Sequence, residues 1–248
     1  MKIKEKLGTL WGVGIGPGDP ELLTLKAVRV IEAAGVVAVP TSGADGGDGG
    51  GGRIALSVVK EAVPLEGKEL VELVLPMTRD PERLAKAREK AAGVMAERLS
   101  AGTDVAFITI GDPLFYSTFS YLVPLVTSRL PELSVKVVPG VSSVGAAASA
   151  AGLAIAEGDE RVAVVPASGN MKTVAETLKN FDTIVLMKVK SVMDELIDTL
   201  VDAGFAERAV FIKRAGWPEE EVVRDITTLK GTEPDYFSMV IVRKGEDG

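Results

Sequence analysis

Short apolar runs alternate along the chain with longer segments in which apolar residues recur every three or four positions. Runs of Val, Ile and Leu are typical of parallel strands covered on both faces, whereas the wider spacing is typical of amphipathic helices. The first 140 residues are therefore predicted to alternate strands with helices in an α/β fold. The predicted strands are Thr9–Ile15, Val36–Val39, Leu70–Leu75, Asp104–Ile110 and Val135–Val138, and the predicted helices are Pro20–Ala33, Ile54–Ala62, Pro81–Leu99 and Tyr116–Arg129.

After Pro139-Gly140 the alternation is less regular, and the last three predicted strands follow one another closely. Closely spaced short strands are typical of antiparallel pairs. We therefore expect two α/β domains, 1–140 with a mostly parallel sheet and 141–248 with a mixed sheet. In the second domain the predicted strands are Val162–Val165, Thr183–Met187, Val210–Ile212, Val222–Thr227 and Phe237–Val242, and the predicted helices are Ser142–Ala151, Met171–Lys179 and Val192–Ala203.

The segment Gly43–Gly52 contains seven glycines in ten residues. Ordering such a segment costs much backbone entropy, and it has no apolar side chain whose burial would offset that cost. Its composition alone favours a solvent-exposed loop. Its place after a predicted strand also permits the second interpretation, a lid over a ligand site.

Composition excludes several kinds of chemistry. The chain of 248 residues contains no cysteine and no histidine, which rules out disulfides, Cys/His zinc sites, iron–sulfur ligation and a Ser-His-Asp triad. No metal site is predicted. The net charge of −7 argues against nucleic acid as a partner. Because no apolar run reaches about 18 residues and the first residues lack a signal-peptide core, we expect a cytoplasmic protein with no membrane partner.

Three glycine-containing segments directly follow predicted strands, namely Gly12–Pro20, Thr109–Tyr116 and Val138–Ser143. Open parallel sheets bind ligands at the carboxyl ends of their strands. The first segment departs from the dinucleotide fingerprint and lacks the Gly-Lys-Ser/Thr of a phosphate-binding loop. We therefore expect a neutral or zwitterionic nucleoside ligand rather than a nucleotide phosphate. Taken singly, each segment is explained at least as well by a tight turn or a helix cap.

Taken in order, Gly14–Thr24, Gly111–Tyr116 and Val138–Ser143 resemble the successive signatures of the tetrapyrrole (corrin/porphyrin) methylase family. The resemblance covers essentially the whole chain. Residues 111–117, Ala151–Asp159 and Tyr236–Val240 are most similar to the members that methylate C20 of precorrin-2 or of cobalt-factor II. The resemblance implies a homodimer of two-domain α/β chains, a role in cobalamin biosynthesis, and S-adenosylmethionine bound in the cleft between the domains, with S-adenosylhomocysteine as product.

The resemblance also implies which residues contact S-adenosylmethionine. These are Pro17, Ile110, Gly111, Asp112, Phe115, Ser142, Ser143, Met187 and, by a looser alignment, Ala215. Methyl transfer from a sulfonium needs no metal, because the leaving group is neutral, but the acceptor ring must lose a proton. In a chain without histidine, Asp112 and Tyr116 are the candidate bases, and backbone or solvent is the alternative.

The implied substrate carries many carboxylates, so a chain with a net charge of −7 must gather basic residues around its site. The candidates are Arg53, Arg79, Arg83, Lys188 and Arg214, although each taken alone is more typical of a solvated surface. Two alternatives stay open. One is methylation at another ring position, such as C11 or C2/C7 of uroporphyrinogen, and the other is a non-catalytic S-adenosylmethionine-binding module. RNA methylation, which also occurs on this fold, is disfavoured by the acidic balance.

Overall fold

The computed structural model of the chain describes residues 6–42, 51–78 and 80–245. Its internal contacts divide the chain into two compact units, Met1–Ser142 and Ser143–Gly248. That the halves are separate domains divided at residue 140 stays a prediction. The predicted lid falls largely on residues 43–50, outside the described residues, and Arg79 lies outside them as well.

The first unit is built around a five-stranded parallel sheet. Its strands are β1 (Thr9–Gly14), β2 (Val36–Thr41), β3 (Glu69–Val74), β4 (Val105–Thr109) and β5 (Ser134–Val138), and its helices are α1 (Leu25–Ala33), α2 (Gly51–Ala62), α3 (Pro81–Ser100) and α4 (Phe119–Arg129). The strand order is β3-β2-β4-β1-β5. Helices α1 and α2 bury their apolar sides against one face of the sheet, and α3 and α4 cover the other.

This strand order defines where a ligand can approach the sheet. Strands β1 and β4 are neighbours, but the helices that follow them, α1 and α4, pack on opposite faces. The loops after the two strands therefore begin side by side at the carboxyl edge and lead to opposite faces, and this edge is where open α/β sheets bind ligands. Strand β5 pairs with the other side of β1, so its carboxyl end lies at the same edge.

The second unit contains a mixed sheet in the order β6-β7-β10-β8-β9. Its strands are β6 (Val162–Pro166), β7 (Thr183–Met187), β8 (Ala209–Lys213), β9 (Glu221–Val223) and β10 (Ser238–Arg243), and its helices are α5 (Ser143–Ala151), α6 (Met171–Asn180) and α7 (Met193–Asp202). Only β6 and β7 pair in parallel, which confirms the expected antiparallel part. The predicted fold class, α/β with a parallel sheet followed by a mixed sheet, is confirmed. None of the described helices is long and apolar enough to cross a membrane.

The predicted helix Pro20–Ala33 is wrong as a single element. A 3-10 helix over Pro20–Leu22 is followed by α1, and the residues between them are extended. The hydroxyl of Thr24 accepts the N–H of Ala27 at 3.1 Å, so a new helix begins at Leu25.

Among the predicted elements whose bounds differ from the observed ones, two more have a clear local cause. The helix predicted from Tyr116 begins at Phe119, because Tyr116 has a φ of 54° and lies in the left-handed region. The strand predicted over Val222–Thr227 ends at Val223, where Asp225 accepts the N–H of Thr227 at 3.1 Å and caps a 3-10 helix. In all three places a local backbone or side-chain contact overrides the apolar periodicity.

Candidate functional site

The loops after β1 and β4 are joined by backbone hydrogen bonds at the carboxyl edge of the parallel sheet. The N–H of Gly111 donates to the carbonyl of Gly16 at 2.8 Å, and the N–H of Ile15 donates to the carbonyl of Thr109 at 3.0 Å. Gly111 has a φ of 71°, a conformation that glycine adopts without strain. The first two glycine-containing segments therefore form one continuous backbone surface.

The third segment is in direct backbone contact with the other two. A Cβ atom added to Gly140 would lie 2.2 Å from the carbonyl oxygen of Gly111 and 2.9 Å from the Cα of Gly14. A Cβ atom added to Gly14 would lie 2.6 Å from both that oxygen and the nitrogen of Gly140. Any side chain at Gly14 or Gly140 would force the loops apart. We call these three contacting residues, Gly14, Gly111 and Gly140, the glycine triad.

The two candidate bases have different surroundings. The Asp112 carboxylate accepts the N–H of Leu114 at 2.8 Å through Oδ1 and the N–H of Gly140 at 3.1 Å through Oδ2. Tyr116 is half exposed, and its ring packs edge-on against Phe115 at a centroid distance of 5.0 Å. Asp112 therefore makes contacts within the loops, whereas Tyr116 presents much of its side chain outward.

The other cofactor candidates of the first unit lie along the same edge. Pro17 is buried in the loop after β1, Ile110 is half-buried at the end of β4, and Phe115 is 36% exposed. Ser142 follows the loop after β5 and is partly exposed. The structure thus places every predicted cofactor residue of this unit on the three loops that meet at the glycine triad.

Two of the predicted substrate-binding arginines also lie at this edge. Arg53 is in the first turn of α2, whose start packs so closely against the end of β2 that a Cβ on Gly52 would meet the carbonyl of Pro40 at 1.7 Å. Arg83 is in the first turn of α3, which follows β3. Both residues are exposed, so each presents a guanidinium group on the β2 and β3 side of the carboxyl edge.

Three candidates of the second unit, Met187, Lys188 and Ala215, lie along one edge of the mixed sheet. Met187 ends β7, Ser143 begins α5, and Lys188 and Ala215 lie just beyond the carboxyl ends of β7 and β8. Both of these strands pair with β10, so their ends are about two strand spacings, roughly 10 Å, apart. The mixed sheet therefore brings Met187, Lys188 and Ala215 to one edge although they are far apart in sequence.

Arg214 lies at that edge too, but its charge is already engaged. Its Nε and Nη2 approach Oδ2 of Asp235 at 3.0 and 2.9 Å, and its guanidinium lies 5.1 Å from the ring centre of Trp217. Its N–H donates to the carbonyl of Phe237 at 2.8 Å. These contacts hold the turn after β8 against the start of β10, and they favour a structural function. Binding of substrate by Arg214 stays a prediction.

Sequence reasoning missed Asp235 and Trp217. The Tyr236–Val240 segment is part of the family resemblance, but Asp235 just before it is not. Its partner, Arg214, is 21 positions away in the sequence. An isolated Asp before two aromatic residues has no distinctive spacing. Its partnership with Arg214 becomes visible once β8 and β10 are known to pair.

Tyr116, Lys188 and Arg214 share an unusual backbone conformation. Their φ values are 54°, 57° and 49°, and they are the non-glycine residues with positive φ among those that the structure describes. Holding such a residue in this region costs roughly 1–3 kcal/mol, and such residues concentrate at functional sites. All three are among the functional candidates that the sequence indicates.

Asp235 provides a test of this second-unit edge. Burial by itself raises the pKa of Asp235, but the N–H of Phe237 and the guanidinium of Arg214 together hold it below the ordinary value of 3.8. Because the pKa of Asp235 is lower in the folded than in the unfolded protein, its ionised carboxylate stabilises the fold at pH values above the unfolded pKa. That stabilisation is lost as the pH falls through the pKa of the folded protein. In Asp235→Asn we therefore expect a lower free energy of unfolding at neutral pH and a weaker loss of that free energy as the pH falls below about 5 and through the lowered pKa of Asp235.

Urea denaturation at a series of pH values would measure this dependence. Asp159→Asn is the matched control, because Asp159 is exposed and makes no hydrogen bond or ion pair among the described residues. Parallel acid profiles for Asp235→Asn and the unmodified protein would contradict the expectation.

Among residues 6–42, 51–78 and 80–245, no group of three acidic side chains is arranged to hold a metal ion. The functional candidates are backbone groups, hydroxyls, carboxylates, amines and guanidinium groups. They occupy the carboxyl edge of the parallel sheet in the first unit and one edge of the mixed sheet in the second.

Comparison with known proteins bears on what these edges do. Residues 9–230 match the model of the family described as Tetrapyrrole (Corrin/Porphyrin) Methylases. A protein of Methanocaldococcus jannaschii named probable cobalt-precorrin-2 C(20)-methyltransferase is 36% identical over 95% of this chain and 96% of its own length. The precorrin-2 C(20)-methyltransferase of Sinorhizobium sp. is 31% identical, with 97% of each chain covered.

A similar structure is that of the uroporphyrin-III C-methyl transferase of Thermus thermophilus complexed with S-adenyl homocysteine. Its TM-score is 0.65 at 24% identity, and 96% of this chain and 98% of that chain are covered. At this level of identity the likeness establishes the fold.

Proposed function

The chain belongs to the tetrapyrrole (corrin/porphyrin) methylase family, and we propose that it transfers the methyl group of S-adenosylmethionine to C20 of precorrin-2 or of its cobalt complex in cobalamin biosynthesis. The observation that carries the proposal is the identity of 31–36% with C20-methyltransferases over at least 95% of this chain. The geometry of the carboxyl edge supports it.

The glycine triad is suited to a nucleoside. Its members pack backbone against backbone, with no room for a Cβ at Gly14 or Gly140, and so bring the three loops close together at the edge. Ile110 and Phe115 offer apolar surface beside them, as small-molecule sites generally do. Residues 12–20 and 109–116 contain no lysine or arginine, which suits a ligand without phosphate. The residues present therefore fit the adenosine part of S-adenosylmethionine.

The donor supplies a methyl group on positively charged sulfur, so its reactivity is intrinsic. In the reaction a carbon–carbon bond forms at the acceptor as the carbon–sulfur bond breaks, and the acceptor ring releases one proton. The task left to the chain is to hold both partners in line, which contributes roughly 7–11 kcal/mol in favourable cases. Loops that are hydrogen-bonded to one another at a sheet edge are well suited to that task.

We assign the following residues to these tasks. The residues assigned to holding the cofactor are Pro17, Ile110, Gly111, Phe115 and Ser142 of the first unit and Ser143, Met187 and Ala215 of the second. Tyr116 is the candidate acceptor of the proton. Arg53, Arg83 and Lys188 attract the substrate carboxylates, and binding between the two domains stays a prediction.

The proposed binding of carboxylates predicts a charge effect at Lys188, which is exposed beyond the end of β7. Hydrogen bonds to charged groups contribute roughly 1.5–3 kcal/mol. We therefore expect Lys188→Glu to raise the KM for the tetrapyrrole by about tenfold or more and to weaken its dependence on salt. Steady-state kinetics at several salt concentrations would measure both effects.

Lys60→Glu is the control for Lys188→Glu, because it makes the same charge change at an exposed position in the last turn of α2. That end of the helix points away from the carboxyl edge. A KM in Lys188→Glu that is unchanged, or that rises equally in Lys60→Glu, would contradict the assignment of Lys188.

The function itself is tested by incubating the purified protein with S-adenosylmethionine labelled in its methyl group. Precorrin-2 and cobalt-factor II are supplied separately, and the tetrapyrrole fraction is analysed for label. We expect transfer to at least one of them. Binding of S-adenosylhomocysteine without any transfer to either acceptor would favour the non-catalytic binding module instead.

We also propose that the protein acts as a cytoplasmic homodimer, as the family resemblance implies. The edge strand β3 exposes Leu70 and Val74, which are 43% and 53% exposed. Apolar side chains on a sheet edge favour contact with a second chain. Light scattering after size exclusion would measure the mass, and a monomer at micromolar concentration would contradict the dimer.

A further inference from the structure

The carboxylate of Asp112 joins two of the three loops that form the glycine triad. Its Oδ1 accepts the N–H of Leu114 at 2.8 Å in its own loop. Its Oδ2 accepts the N–H of Gly140 at 3.1 Å, 28 positions along the chain in the loop after β5. One side chain thus joins the loop after β4 to the loop after β5.

The other side of Gly140 faces the remaining members of the glycine triad. A Cβ there would lie 2.2 Å from the carbonyl oxygen of Gly111 and 2.9 Å from the Cα of Gly14. Gly140 is therefore held between the Asp112 carboxylate and two backbone segments. Because strand β1 lies between β4 and β5, no ladder hydrogen bond joins β4 to β5 directly. The Asp112 contact provides a direct link between their ends.

We propose that Asp112 is a positioning residue that aligns the cofactor-binding loops, and that it is not the base of the reaction. The inference rests on the proposed function. Both oxygens of the carboxylate accept backbone N–H groups, and hydrogen bonds of this charge-assisted kind are the strong ones. Taking up a proton would weaken the contacts that hold Leu114 and Gly140. The group is placed to orient the loops, and the reacting proton goes to another acceptor.

Asp112→Asn and Asp112→Ala test the inference. An asparagine keeps one acceptor oxygen but turns an NH2 group toward one of the two N–H donors, and alanine removes both contacts. We expect the Kd for S-adenosylhomocysteine to rise about tenfold in Asp112→Asn and further in Asp112→Ala. At saturating cofactor, kcat should stay within about threefold of the unmodified value, and the acidic limb of its pH profile should be unchanged. Calorimetry gives the first quantity and steady-state kinetics the others.

A base would give the opposite pattern. Asp112→Asn would lower kcat by about 10²-fold or more, remove the acidic limb and leave the Kd unchanged, and that outcome would overturn the inference. If Asp112→Asn does not fold, Asp112→Glu decides the question, because it keeps a carboxylate but displaces its oxygens. We expect it to weaken cofactor binding while preserving the acidic limb, and unchanged affinity would contradict the proposal.

Asp104→Ala separates positioning from general loss of stability. Asp104 accepts the N–H of Thr9 at 2.6 Å and joins β4 to β1 at the opposite, amino edge of the same sheet. Its removal should lower the free energy of unfolding as Asp112→Ala does, with no change in cofactor Kd. If Asp104→Ala and Asp112→Ala lost cofactor affinity equally, the effect of Asp112 would be explained by stability alone, which would contradict the proposal. If the unmodified protein itself fails to bind S-adenosylhomocysteine, the proposed function fails instead.

Discussion

Gly140→Ala is expected to weaken binding of S-adenosylhomocysteine by about 100-fold or more and to destabilise the first unit. The added Cβ would lie 2.2 Å from the carbonyl oxygen of Gly111, and backbone atoms cannot rotate away as a flexible side chain can. The φ of Gly140 is not positive, so the effect comes from this contact and not from backbone strain. Forcing atoms into a packed site costs typically 1–3 kcal/mol, occasionally more. The loops that would hold the cofactor are the ones that must move.

Gly93→Ala is the matched control for Gly140→Ala. Gly93 is in the interior of α3, and a Cβ there would meet nothing within 4 Å. Alanine is the better helix former, so we expect a gain of roughly 0.5–1 kcal/mol and unchanged affinity. Calorimetric titration and urea denaturation would give both quantities. Wild-type affinity in Gly140→Ala would show that the glycine triad does not shape the binding site.

The second large effect is expected in Tyr116→Phe, which should lower kcat by about 10²-fold while leaving the cofactor Kd unchanged. The substitution removes a hydroxyl and keeps the ring that packs against Phe115. Tyr116 is half exposed at the carboxyl edge and is held at a φ of 54°. With Asp112 engaged by two backbone N–H groups, Tyr116 is the remaining candidate base of this edge.

Tyr121→Phe provides the comparison for Tyr116→Phe. Tyr121 is 56% exposed on α4, and the guanidinium of Arg88 lies over its ring, 4.3 Å from the ring centroid. Phenylalanine preserves this cation–π contact. Its kcat should be unchanged. Tyr116→Gly adds a further check, because relief of the left-handed strain should raise stability by roughly 1 kcal/mol while activity is lost. An unchanged kcat in Tyr116→Phe would assign the proton to backbone or solvent.

The strands were the most predictable part of the fold. A strand such as β4 is entirely buried and strongly apolar, so its periodicity alone indicates it. The errors lie at element ends and at the interruption within the predicted helix Pro20–Ala33, where a single contact decides. The Thr24 hydroxyl that restarts a helix and the Asp225 carboxylate that ends a strand look like ordinary polar residues until the backbone around them is known.

The sequence indicates where on the sheet the candidate site lies, but not the contacts within it. Three glycine segments after three strands suggested a ligand edge, and the order β4-β1-β5 brings them together. That Gly14, Gly111 and Gly140 touch depends on this strand order, which periodicity does not contain. The contacts of Asp112 with Gly140 and of Arg214 with Asp235 also join residues that are far apart in the sequence. They too depend on which strands are neighbours.

The position of the transferred methyl group tests the central claim most directly. S-adenosylmethionine carrying a ¹³C-methyl group would be incubated with the protein and precorrin-2 or cobalt-factor II, and the product examined by NMR. The account predicts one new carbon–carbon bond, with the labelled methyl on C20. Label at C11 or at C2 or C7, or no transfer by a protein that binds S-adenosylhomocysteine, would contradict it.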